Sequence, residues 1–109
     1  MKTINEKNIT HTTNNTHKSG NLIDESNGAQ NHFSMGISEY FAEEFGYMGV
    51  HNVQEGFYIL EGSGYAKVGS EVFPISKGDS FLVPAGVKHV LKKDKESKNL
   101  KVLWSHGSN

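Results

Sequence analysis

From His32 onward the chain alternates short apolar runs with turns that contain glycine. Phe33, Met35 and Ile37 are apolar at every second position, which is typical of a strand with one buried face. Residues 57–60 are apolar at every position, as in a strand that lies between two layers. Only residues 38–45 hint at a helical period. Regular short strands separated by glycine turns therefore predict an all-β sandwich or small barrel.

Glycine and proline mark the predicted ends of these strands. Residues 62–64, Gly-Ser-Gly, are expected to reverse the chain after the first buried strand. Gly69 and Ser70 have the composition of a two-residue hairpin, and Pro84-Ala85-Gly86 is expected to end a strand because proline lacks the ladder donor. The other predicted strands lie at residues 72–75, 81–83, 87–91 and 100–105.

The first thirty residues differ in character from the rest. Residues 1–30 are rich in Asn, Thr, Ser and His and contain only scattered aliphatic side chains, so this segment cannot bury much surface by itself. It is either a loose polar arm or a set of edge strands completed by another subunit. Residues 31–109 are predicted to form a single β-barrel domain.

Composition restricts the function classes. The chain has eleven basic residues, all of them Lys, and twelve acidic residues. The lysines do not form a basic stripe, so no nucleic-acid partner is expected. The absence of cysteine excludes disulfides, thiolate metal ligands and a cysteine nucleophile. No apolar stretch approaches the roughly eighteen residues of a membrane helix, so no membrane partner is expected and a cytoplasmic location is the default.

Two segments carry the candidate chemistry, and the second of them has the more complete motif. Gly78, Pro84, Gly86 and His89 follow the pattern Gly, five residues, Pro-x-Gly, two residues, His, and the Asn expected four residues later is replaced by Lys93. This pattern resembles the second motif of the cupin superfamily.

The segment before it resembles the first cupin motif, with two departures. His51, Glu55 and Gly62 match the second His, the Glu and the closing Gly of that motif. Gly49 stands where the first His belongs, and Glu43 stands where the opening Gly belongs. The resemblance covers about residues 33–106.

The resemblance implies a cupin-type double-stranded β-helix, or jelly roll, with metal ligands in the barrel interior. His51, Glu55 and His89 are the ligands that it implies, and Glu55 could either remain a ligand or act as a catalytic base. Two imidazoles and one carboxylate suit a divalent transition metal, namely Fe, Mn, Ni or Zn. With Gly49 in place of a His, the site is either an open metal centre or a decayed one.

Strand parity and sequence proximity predict a mainly apolar pocket for a small molecule. His106 faces inward if the last strand stays extended, whereas His11 and His17 are predicted either to face solvent or to contribute adventitious metal affinity. The predicted pocket residues are Tyr47, Phe57, Ile59, Trp104 and His106.

Three function classes follow. The first is a metal-dependent enzyme that acts on a small molecule, as a dioxygenase, an isomerase or a lyase. The alternative is a non-catalytic cupin that binds a sugar or small acid and has a degenerate metal site. The third is a structural scaffold, which the presence of Glu55 and His89 disfavours because packing requires neither. The resemblance and the N-terminal segment together predict a homodimer.

Overall fold

The computed structural model describes residues 2–107, whose regular secondary structure is almost entirely β-strand. The only helical elements in this part of the chain are two short 3-10 helices, at Glu6–Asn8 and Glu25–Asn27. None of its helices is both long and apolar enough to cross a membrane. The all-β prediction is confirmed. The strands are β1 (Thr12–Thr13), β2 (His17–Ile23), β3 (Ser34–Tyr40), β4 (Glu55–Val68), β5 (Glu71–Ser76), β6 (Ser80–Val83), β7 (His89–Lys93) and β8 (Leu100–His106).

The strands form a curled antiparallel sheet of the jelly-roll type, in which β4 is the central element. The order is β1-β2-β3-β8-β4-β5, and β6 and β7 both pair with β4. The first half of β4 pairs with β8 and β6, and its second half pairs with β5 and β7. The core inside the curl contains the buried side chains of Tyr40, Phe57, Ile59, Ala66, Ile75, Val83, Leu91, Leu100, Val102 and Trp104.

The predicted chain reversal at residues 62–64 is wrong. Strand β4 continues through these glycines to Val68, and its register against β8 shifts between Ile59 and Glu61. The extra residue of this bulge is Leu60, and Gly62, with a φ of 84°, lies two residues beyond it, where the strand bends without turning back. A side chain at Gly62 would overlap the backbone of Asn99. The bend is what allows one strand to contribute to both halves of the sheet.

The other predicted turns agree better with the structure. Gly69, with a φ of 61°, and Ser70 connect β4 to β5 as a two-residue hairpin. Strand β7 begins at His89 and not at residue 87, because Val87 N–H donates to the Pro84 carbonyl in a turn at 3.2 Å. Residues 38–45 form no helix, since β3 extends to Tyr40.

The polar N-terminal segment pairs with the barrel of its own chain. Strand β2 lies antiparallel to β3, with His17 opposite Tyr40 and Gly20 opposite Ile37. Gly36 is required in β3 because a Cβ there would overlap both the Trp104 ring and the Gly20 carbonyl. Residues 12–23 therefore extend the sheet beyond β3 and form part of the barrel wall.

Candidate metal centre and its cavity

Four polar side chains meet near one end of the barrel, and each comes from the end of an element or from a loop. Glu55 begins β4, His89 begins β7, and His106 ends β8 directly opposite Glu55. His51 lies in the loop between β3 and β4. Because the strands end at the same place, residues far apart in sequence surround one carboxylate.

The distances place one carboxylate oxygen between two imidazoles. Oε1 of Glu55 lies 3.1 Å from Nε2 of His89 and 3.5 Å from Nε2 of His51. Oε2 of the same carboxylate lies 3.1 Å from Nε2 of His106. The Glu55 side chain is 6% exposed, yet its Oε1 has no hydrogen bond of acceptable geometry. A buried carboxylate oxygen without such a bond is costly unless a cation balances it.

The atoms available for ligation are close enough to share one ion. One ligand atom from each of His51, Glu55 and His89 lies within 4.8 Å of the others. The donor set of two neutral nitrogens and one carboxylate oxygen matches open sites for divalent transition metals. These three residues could therefore hold a metal ion.

Backbone pairing between the two motifs sets this arrangement. Gly49 and His89 exchange both of their backbone hydrogen bonds, each at 2.9 Å. Gly86 donates its N–H to the His51 carbonyl at 2.7 Å and has a φ of 79°. The Pro-x-Gly turn thus fixes the loop that carries His51 beside the strand that carries His89.

The ring of His89 is oriented by its second nitrogen. Nδ1 lies 3.4 Å from the Val87 carbonyl, so it can donate there while Nε2 faces Glu55. Burial lowers the pKa of His89, but the contact with Glu55, the negative charge of Glu55 and the Val87 carbonyl together raise that pKa above its ordinary value.

His51 responds in the opposite direction. Burial lowers its pKa, Glu55 opposes this shift, and the neighbouring His106 and His89 rings add to it, so the net pKa falls. The rings of His51 and His106 have centroids 4.6 Å apart. A neutral imidazole keeps the lone pair that metal ligation requires.

A cavity of about 590 Å³ opens onto these side chains, a size that suits a small organic molecule. Of the predicted pocket residues, Tyr47, Phe57, Trp104 and His106 line it, and Tyr47 is 94% exposed at its mouth. Ile59 does not line this cavity. It shares a face with Phe57, but two residues along a strand move it more than 6 Å further, into the fully buried core.

The N-terminal segment supplies a wall that sequence analysis missed. His17 was predicted to face solvent, but it is half-buried, lines the cavity and stacks on Tyr40 with ring centroids 4.5 Å apart. Desolvation by burial lowers its pKa. The only sequence signal was that His17 and Ser19 are two residues apart and would share one face of a strand. The polar residues around them hide this pattern. The other cavity residues from this region and from β3 are Asn14, Asn15, Thr16, Ser19, Ser38 and Tyr40.

The two outer departures from the motifs contact each other. Lys93, at the expected Asn, lies with Nζ 3.4 Å from Oε2 of Glu43, at the expected Gly. Lys93 also donates to the carbonyls of Asp94 at 3.0 Å and Ser97 at 2.6 Å. The two outer residues that depart from the motifs, Glu43 and Lys93, therefore form a local ion pair. Neither of them is at a proposed ligand position.

Comparison with known proteins supports the fold and the family. No curated protein matches this chain in sequence. Similar solved structures include the polyketide cyclase RemF from Streptomyces resistomycificus, with a TM-score of 0.81, 18% identity, and coverage of 97% of this chain and 78% of that chain. Hydroxypropylphosphonic acid epoxidase from S. wedmorenis has a TM-score of 0.82 and 14% identity, over 98% of this chain and 59% of that chain.

A third similar structure is an RmlC-like cupin from Shewanella frigidimarina, with a TM-score of 0.75, 17% identity, and coverage of 98% of this chain and 90% of that chain. At such identities these likenesses show the fold. The sequence model of the cupin domain family matches residues 42–106, which is more than half of the chain and includes the four clustered side chains. The chain belongs to the cupin domain family.

Proposed function

We propose that this protein is a metal-dependent cupin enzyme that acts on a small molecule, with a divalent metal held by His51, Glu55 and His89. The observation that carries the proposal is the Oε1 atom of Glu55. It is buried without a hydrogen bond, and two imidazole nitrogens lie 3.1 and 3.5 Å from it. A cation at this point would balance the carboxylate and bind all three ligand atoms.

The surrounding residues suit an open site. Three protein ligands leave positions for a substrate oxygen, and a bound divalent ion would polarise that oxygen as a Lewis acid. His106 fixes Oε2, which leaves Oε1 directed toward the imidazoles. Glu55 is the proposed catalytic residue, because a carboxylate held at the cavity can also accept a proton from a bound substrate.

We propose several candidate reaction classes and several candidate metals. Solved structures with this fold include a polyketide cyclase and an iron(II) form of the epoxidase. These support small-molecule chemistry in a barrel of this type. For this chain the candidates are dioxygenase, isomerase or lyase chemistry with Fe, Mn, Ni or Zn.

Gly49 supports a second candidate, a non-catalytic cupin that binds a sugar or small acid and has a degenerate metal site. Gly49 lines the cavity where the family motif has its first His, and a Cβ there would meet no atom within 4 Å. A site that lacks one imidazole binds metal more weakly, and the cavity would remain available to a ligand.

Elemental analysis of untagged protein, purified without added metal and then after metal is supplied, separates the two candidates. We expect close to one transition metal per chain in the wild type, and less than about a tenth of that in His51→Ala and His89→Ala, since two ligands rarely retain a metal. His11→Ala is the matched control, because His11 is exposed and outside the cavity.

Two results would reject the enzyme proposal. One is a wild type that takes up no metal, which would favour the non-catalytic binder. The other is an unchanged metal content in His89→Ala, which would place the metal elsewhere. Circular dichroism of each variant verifies that the fold is retained.

The predicted homodimer and the cytoplasmic location remain predictions. Light scattering with size-exclusion chromatography tests the first, for which the expected mass is twice the 12.0 kDa of the chain.

A further inference from the structure

The hydrogen bonds at the start of β2 fix the tautomer of His17. Oδ1 of Asn14 accepts from the backbone N–H of Thr16 at 2.8 Å and from that of His17 at 2.9 Å, so this atom is an acceptor. The Thr16 hydroxyl lies 3.0 Å from this oxygen and 2.7 Å from Nδ1 of His17. A hydroxyl has a single proton to donate.

Only one assignment satisfies both contacts. If Thr16 donates to Asn14, its lone pair accepts from the protonated Nδ1 of His17. The reverse assignment would leave two oxygen acceptors 3.0 Å apart without a proton between them. Neutral His17 therefore carries its proton on Nδ1, and its Nε2 is left as a hydrogen-bond acceptor at the cavity.

Tyr40 places a donor beside this acceptor. The two residues are directly opposite in the β2–β3 ladder, and their rings stack with an interplanar angle of 28°. Tyr40 lines the cavity and is 8% exposed, and within residues 2–107 its hydroxyl has no hydrogen-bond partner. Among the described residues, Oε1 of Glu55 is the fully enclosed side-chain atom without a partner, so the hydroxyl of Tyr40 is not fully enclosed.

Away from the metal centre, the cavity lining favours a ligand without a large negative charge. No Lys is among the described residues that line the cavity, and the chain contains no Arg. Outside the imidazoles of the metal centre, a phosphate or phosphonate would find no Lys or Arg side chain there. Phe57 and Trp104 offer flat apolar surface instead.

We propose that His17 and Tyr40 form a recognition subsite for uncharged compounds that carry a hydroxyl next to a carbonyl. The ligand hydroxyl donates to Nε2 of His17, its carbonyl accepts from the Tyr40 hydroxyl, and its apolar part packs on Phe57 and Trp104. The statement that such a compound is the substrate rests on the proposed function, whereas its binding requires no metal.

The test uses two probes and the full chain treated with chelator. α-Hydroxyacetophenone has both groups, and α-methoxyacetophenone has the same carbonyl without the hydroxyl proton. We expect the wild type to bind the hydroxy compound about fivefold to tenfold more tightly, the range for one neutral hydrogen bond. Titrations followed by NMR or calorimetry give the dissociation constants.

Variants assign the two hydrogen bonds. His17→Phe keeps the stacked ring and loses the acceptor, so the preference for the hydroxy compound should fall to about one. Tyr40→Phe removes only the hydroxyl and should weaken both probes about fivefold. Tyr58→Phe is the control, because Tyr58 is outside this cavity and 45% exposed.

Four outcomes would overturn the subsite. These are no detectable binding of either probe at millimolar concentration, equal binding of both probes by the wild type, an unchanged preference in His17→Phe, and unchanged affinities in Tyr40→Phe. Metal content, measured separately, reports on the enzyme proposal alone, so a metal-free protein that shows the probe preference would retain the subsite and reject the metal centre.

Discussion

Position 49 links the family motif to the chemistry of this particular chain. The backbone of Gly49 pairs with that of His89, so this position is held beside a proposed ligand. Its α-carbon lies at the cavity, and a Cβ built on it would meet nothing within 4 Å. Neither the sheet nor the fold requires glycine here, and the site has room for the side chain that the motif leads one to expect.

We therefore predict that Gly49→His tightens metal binding. A third imidazole at the centre should lower the metal dissociation constant about tenfold or more, in line with the effect of groups that support a metal site. Competition with a chromogenic chelator measures the change. Gly49→Ala is the control, since it adds the Cβ without a ligand. Equal affinities for the two variants would show that the position does not reach the metal.

His17 should make stability depend on pH. Burial lowers its pKa from the ordinary value of 6.5, so the unfolded chain binds this proton more readily than the folded chain. The contribution of His17 to the free energy of unfolding is therefore complete above about pH 6.5 and decreases as the pH falls through the window below that value.

Urea unfolding at about pH 7.5 and about pH 5.5 checks this prediction. His51 shifts in the same direction as His17 and His89 shifts in the opposite one, so the wild type alone is ambiguous. The stability lost between the two pH values should be smaller in His17→Phe than in the wild type. The same loss in both proteins would mean that His17 titrates normally in the folded state.

At the scale of elements, the end of β7 is held by a lysine that replaces the motif's Asn. The Lys93 side chain is 11% exposed, and its Nζ donates to two backbone carbonyls of the following turn. Lys93→Met keeps most of the side-chain volume but removes the donor to the Ser97 carbonyl, whereas the Asp94 carbonyl keeps the Ser97 N–H at 3.0 Å. We expect a loss of about 2 kcal/mol in the free energy of unfolding, measured with urea.

Glu43→Gln separates the ion pair from the carbonyl contacts. Glu43 is 45% exposed, so its pairing with Lys93 should contribute only about 0–1 kcal/mol. If Glu43→Gln destabilised the protein as much as Lys93→Met, the ion pair and not the carbonyl contacts would hold this turn.

Two glycines, Gly69 and Gly62, show why only some turns and strand ends can be predicted from this sequence. Gly69 lies between two alternating apolar runs that are close in sequence, and it forms the predicted hairpin. Gly62 also has a positive φ but lies in a bend within β4, because the residue that pairs with it, Leu100, is remote in sequence. A glycine in a turn and a glycine in a bent strand look alike in the local sequence, and pairing with a remote segment decides between them.

At the scale of the molecule, some cavity residues can be predicted from local sequence and others depend on long-range strand pairing. The ligands could be proposed from sequence because they have fixed spacings within two short motifs. His17 was not, because it reaches the cavity only when β2 pairs with β3 and places it opposite Tyr40. Ile59 was wrongly predicted to line the cavity. The alternation of side chains tells which face of a strand a residue is on, but not how far along the strand the cavity extends.

The pairing of β2 with β3 predicts that the N-terminal segment is part of the folded unit. Deletion of residues 2–23 would uncover the β3 edge and the Tyr40 ring, which is 8% exposed in the intact chain. Loss of this aromatic burial should lower the free energy of unfolding by at least about 2 kcal/mol. The bare strand edge should also promote self-association that increases with protein concentration.

Deletion of residues 2–10 is the matched control. It removes the first 3-10 helix, the half-exposed Ile4 and the surface pair of Glu6 with Lys101, whose Nζ and Oε1 are 2.9 Å apart, but it leaves β1 and β2 intact. Such a pair contributes about 0–1 kcal/mol, so urea unfolding should change little. If the longer deletion unfolded at the same urea concentration as the full chain and stayed unassociated, β2 would be a dispensable arm. The cavity would then have to keep its ligands without that wall.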